Sequence, residues 1–82
     1  MSSQLSSWKP YLGKLEKQVL ALKGDYKSYI DAALKCSLDL REGAKRSGNK
    51  TVEIESLRLY GHLQVGDLDK VDRILGKIRN AG

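Results

Sequence analysis

Eighty-two residues with one cysteine, one histidine and a formal charge of +5 bound the chain to a single small domain. These counts exclude an internal disulfide, a histidine cluster and a four-ligand zinc site, and no apolar run approaches the roughly 20 residues of a membrane span. A chain this short buries only about 60% of its unfolded surface, so its core is limited and association is a natural support.

The opening MSSQLSSWKP is polar and lacks the charged-then-apolar layout of an export signal. With the lone Cys36 it predicts a cytoplasmic protein. Ser6 or Ser7 is expected to cap a first helix, with Pro10 tolerated in its opening turn. From Trp8 the apolar residues then alternate spacings of four and three: Trp8, Leu12, Leu15, Val19, Leu22, Tyr26, Tyr29, Ala33, Cys36 and Leu40. That is a heptad seam, as in a coiled coil, and it crosses Gly24-Asp25 without losing phase.

Next comes REGAKRSGNKT, with Gly43 and Gly48 among charged and small polar residues, the strongest break in the chain. Asn49 or Thr51 can cap a second helix, whose positive end suits Glu53 and Glu55. The second seam is weaker: Ile54, Leu57, Gly61, Gln64, Leu68, Val71, Leu75 and Ile78. It crosses Gly66-Asp67, an echo of Gly24-Asp25 forty-two residues earlier. Lys77 and Arg79, followed by Asn80 and Gly82, make a charge-matched stop.

The expected fold is therefore all-α: an antiparallel helical hairpin with helices at about 7–43 and about 51–80, a loop at about 44–50, and one domain over 1–82. Strand signals are absent, and circular dichroism is expected to report roughly 70–85% helix. Glycine costs about 1 kcal/mol relative to alanine inside a helix, so both helices are softened or kinked at the Gly-Asp pairs. The alternative is that these pairs are turns, giving four short helices. The stretch LRLYGHLQVGDLDKVDRILGKI resembles the tetratricopeptide helix pair, which implies two antiparallel helices around a Gly-Asp turn. The likeness covers some twenty residues. Leu59 and Val71 stand where that pattern takes small residues, and no family is assigned from it.

Chemistry finds little purchase. Cys36 lies on the seam and reads as packing, and His62 reads as a boundary residue. Asp67, Asp69 and Asp72 lack the glycine and closing glutamate of a calcium loop and suit a helix N-terminus instead. There is no glycine-rich phosphate loop. The expectation is a non-enzyme with no cofactor, metal or small-molecule substrate.

Charge and surplus apolar surface point to partners. Residues 1–24 carry +3, 41–50 carry +3 and 70–82 carry +3, while 25–40 carry −1 and 51–69 carry −3. A hairpin would pool the two terminal groups at its open end and leave Arg41, Lys45, Arg46 and Lys50 as a second basic tip, a possible nucleic-acid contact. Beyond the seams lie Tyr11, Leu20, Ile30, Leu34 and Leu38 in the first half and Leu59, Tyr60, Leu63, Val65 and Ile74 in the second. A bare hairpin leaves much of this wet. The function expected from it is a protein-protein interaction module (adaptor, co-chaperone, inhibitor or assembly subunit), binding itself or a larger partner through Ile30, Leu34, Leu38, Tyr60, Leu63 and Ile74. A basic helical binder of nucleic acid is the alternative.

Overall fold

Three Gly-Asx pairs divide the chain. The structure, a computed structural model that describes residues 8–81, contains α1 (Lys9–Gly24), α2 (Tyr26–Ser47), α3 (Lys50–Val65) and α4 (Leu68–Ala81). No strand occurs among the described residues. The all-α expectation holds, but the two long helices are four. The proposed caps Ser6 and Ser7 lie outside the described residues, as does Gly82. Trp8 occupies the N-cap position and makes no side-chain cap bond.

Each joint uses the second residue of its pair as a cap for the next helix, satisfying an orphan N–H of the first turn. The Asp25 carboxylate accepts from the Ser28 N–H at 3.3 Å and the Ser28 hydroxyl at 2.6 Å. Asn49 Oδ1 accepts from the Val52 N–H at 3.1 Å, and Asp67 Oδ1 accepts from the Lys70 N–H at 3.4 Å. The glycines differ. Gly48 and Gly66 both take the left-handed conformation at φ 75°, and the residue after each donates back to the preceding helix, Asn49 to the Ala44 carbonyl at 2.9 Å and Asp67 to the His62 carbonyl at 3.0 Å. These are Schellman stops. Gly24 is still helical, and the chain turns at Asp25, with φ −153° and ψ 86°.

The echo between Gly24-Asp25 and Gly66-Asp67 is thus partial; Gly48-Asn49 is the true counterpart of Gly66-Asp67. A side chain at Gly48 or Gly66 is forced into left-handed backbone, at roughly 1–2 kcal/mol. Gly48→Ala and Gly66→Ala are each expected to lower stability by about that much in urea melts. Gly24→Ala meets open space and is expected to be neutral or stabilising by up to about 1 kcal/mol.

The loop expected at 44–50 contracts to Gly48 and Asn49. Gly43, read as a break, is buried inside α2, and Lys45 and Arg46 close its last turn, where their charge complements the helix dipole.

Short joints force each helix antiparallel to the one before it, giving an up-down-up-down four-helix bundle. It closes where α1 meets α4: Lys23 Nζ donates to Asp72 Oδ2 at 2.7 Å and Arg79 Nε to Glu16 Oε2 at 3.0 Å. Both pairs are partly exposed, so they orient α4 more than they stabilise it. The core is one cluster: Trp8, Leu12, Leu15, Val19 and Leu22 from α1 and its cap, Ala33, Cys36, Leu40 and Ala44 from α2, Val52, Leu59 and Leu63 from α3, and Val71, Ile74, Leu75 and Ile78 from α4. No described helix is long and apolar enough to cross a membrane.

Candidate interaction surface

Successive residues of a helix are rotated by about 100°, so contacts identify the edges of each helix. On α2, the Cys36 thiol donates to the Tyr11 carbonyl of α1 at 3.4 Å, and Lys35 and Asp39 line a cleft with Lys14 and Gln18. Toward α3, the Tyr26 hydroxyl donates to the Leu63 carbonyl at 2.8 Å. The α2 edge beside α3 therefore carries Ile30 and Leu34, both half-buried against the core, with Leu38 further out and 42% exposed. On α4, Asp72 and Arg79 reach α1, which leaves Arg73 and Lys77 on the edge beside α3.

Helix α3 has two apolar faces. Its inner face is Val52, Ser56, Leu59 and Leu63, all buried. The buried Ser56 is no liability, because its hydroxyl donates to the Val52 carbonyl at 2.6 Å. The outer face is Ile54, Leu57, Gly61 and Val65, with the three side chains 56%, 52% and 77% exposed. With α1 on the Cys36 edge of α2 and α3 on its Tyr26 edge, the right-handed winding of each helix turns Glu53 and Tyr60 of α3 toward α2, and Glu55, Arg58 and His62 toward α4.

Against the expected partner-binding set, Leu63 and Ile74 are corrected: both are buried in this chain's own core, because the bend at Asp25 and the turn at Gly66 bring four helices around them. Ile30, Leu34 and Tyr60 are half-buried across the α2–α3 groove, and Leu38 is exposed. The expected second seam is corrected in turn: Ile54, Leu57, Gly61 and Gln64 face outward. Of the exposed ridge, Ile54, Leu57 and Gly61 stand on the expected seam, and Val65 is among the apolar residues expected beyond it.

Basic charge is arranged differently from a hairpin. The α1–α4 pairing brings the start of α1 and the end of α4 to the Gly48-Asn49 end, so the cations of both termini and of the α2–α3 joint share one end. Lys45, Arg46 and Lys50 are exposed there and Arg41 is half-buried. Asp25, Asp67, Asp69 and Asp72 gather at the opposite end, beside the other two joints.

Cys36 and His62 are not brought together. Cys36 faces α1, and His62 lies on the α4 edge of α3. Burial, then the negative charge of Asp39, push the Cys36 thiol up, with Lys14 and Lys35 acting weakly against them. A thiol held protonated and covered is a poor nucleophile. Its reaction with a disulfide reagent is expected to be at least ~10-fold slower in the folded protein than in urea, as read by thiol titration. No protein-family model matches the chain, and neither a curated protein nor a solved structure matches it.

Proposed function

We propose that the protein is a small non-catalytic interaction module that binds another protein through the outer face of α3 and its groove with α2. The observation that carries this is the double-sided character of α3. Folding accounts for Val52, Leu59 and Leu63, which the bundle buries, and gives no reason for Ile54, Leu57 and Val65 to be apolar. An exposed apolar strip of this kind, extended by Leu38 and the half-buried Leu34 and Tyr60, fits a docking surface.

The test is Ile54→Glu with Leu57→Glu. The variant is expected to melt within about 0.5 kcal/mol of the parent, as surface changes do, and to lose the partners that the parent retains from host extract. Retention of the same partners would remove this face from the function. A second reading is supported by the pooling of cations at the Gly48-Asn49 end: phosphate binding by Arg41, Lys45, Arg46 and Lys50. It predicts steeply salt-dependent retention of RNA or DNA that Lys45→Glu plus Arg46→Glu removes; no retention at low salt would end it.

A further inference from the structure

Four features of the α3 outer face narrow what it can hold. The ridge from Ile54 to Val65 runs about 16 Å, three helical turns, and its residues recur at the spacing by which one helix reads another. At its middle is Gly61, where an added Cβ would meet nothing within 4 Å. Leu57 and Val65, one turn to either side, therefore flank a position that no side chain fills. The border of the ridge beside α4 is cationic. Arg58 is 58% exposed, with Glu55 3.8 Å away as its acidic neighbour; Arg73 and Lys77 are exposed and make no ion pair with a described residue. Counting back from the Gly66-Asp67 joint, Arg58 stands level with the turn between Arg73 and Lys77, so the three form one short row.

A second copy of the chain fits this face poorly. Two ridges meeting antiparallel around a two-fold axis set Leu57 over the partner's gap but lay the two cationic rows on the same side, like against like. Two ridges meeting parallel put gap against gap. Nucleic acid would use the row and leave the aliphatic ridge without a role, because Ile, Leu and Val offer no base stacking.

We infer that the α3 outer face takes an amphipathic helix of another protein, whose apolar stripe is bordered on one side by acidic residues that meet Arg58, Arg73 and Lys77. The inference rests on the interaction-module reading and specifies its partner. The α3 ridge supplies the apolar contact, the Gly61 gap takes one large aliphatic or aromatic anchor, and the cationic row sets orientation, because only one direction of the incoming helix puts its acidic border beside α4.

The experiment is selection of displayed helical peptides, about 18 residues or five turns long, against the purified full chain. Their stripe positions vary among Leu, Ile, Met, Phe and Ala, and their border positions among Glu, Gln and Lys. Selected peptides are expected to favour Glu over Lys at one border by about tenfold, to lose that preference on the Arg73→Glu plus Lys77→Glu variant, and to disappear on the Ile54→Glu plus Leu57→Glu variant. Enrichment that needs Leu57 but shows no border preference overturns the acidic partner and leaves the interaction reading standing. Acidic enrichment that survives the Ile54 and Leu57 changes overturns the site. No enrichment at all, self-association lost with Leu57, or displacement of selected peptides by a short RNA or DNA duplex each overturns the inference.

Discussion

Leu63→Ala is expected to cost about 2–5 kcal/mol, the range for removing a fully buried leucine whose surroundings cannot close over the void. Leu63 is fully buried on the inner face of α3, and its own carbonyl receives the Tyr26 hydroxyl, so the backbone there is tied to α2. Relaxation into the cavity is correspondingly restricted. Small domains hold about 5–15 kcal/mol in all, so the loss is a large fraction of the total. Urea denaturation of Leu63→Ala beside Leu57→Ala gives the reading. The second, six residues earlier on the outer face, should move stability by no more than about 0.5 kcal/mol. Similar losses for both would mean that the outer face is covered in the isolated protein.

Trp8→Ala is the other large effect, at about 3–5 kcal/mol. Trp8 is buried although it is the first described residue and precedes α1. It offers α1 no side-chain cap, so its contribution is packing, alongside Leu12, Leu15 and the rest of the cluster. The Lys9 ammonium, 5.9 Å from the ring centroid, sits at the outer limit of a cation–π contact and adds little. Trp8 is the only tryptophan, so Trp8→Phe, which keeps most of the volume, is the informative companion and should recover a good part of the loss. If Trp8→Ala melts like the parent by circular dichroism, the start of α1 is not an anchor of the bundle.

The parts of this architecture that could be read from sequence are those where one helix has one apolar face. Trp8 to Leu22 in α1, and Val71, Leu75 and Ile78 in α4, lie on the expected seams and are buried. The reading failed first at the start of α2. The seam keeps its phase across Asp25, with Ala33, Cys36 and Leu40 buried on it, yet Tyr26 and Tyr29 on the same seam are 37% and 41% exposed. It failed more completely in α3, where two apolar rows compete and the inner one contains Ser56. A period-seven pattern running from Ile54 and Leu57 on to Leu68 and Val71 selects the outer row, although Gly61 and Gln64 interrupt it. The cap that forms, Asn49, followed by Val52 and Ser56 at one-turn intervals, starts the inner row; the other candidate cap, Thr51, stands at the same spacing before Ile54 of the outer row, so the letters alone do not separate the two. Gly43 misled in the opposite way, since a buried glycine in a helix has the same letter as a glycine that ends one.

The three joints have a kinetic consequence. One or two residues between helices leave almost no loop to close, and most helix packing is between neighbours in sequence, so contact order is low and folding should complete in microseconds to milliseconds. Meeting α4 with α1 is the one step that must bring distant parts of the chain together, and it is made by two partly exposed ion pairs over a narrow apolar seam. Helix α4 should therefore dock last and leave first. In amide hydrogen exchange its protection should fall below that of α2 and α3, as a separately opening unit. Each such opening carries Arg73 and Lys77 away with α4 and uncovers Leu59 and Leu63 beside Arg58, giving α3 a second, transient face that only a bundle with a loosely held last helix can present.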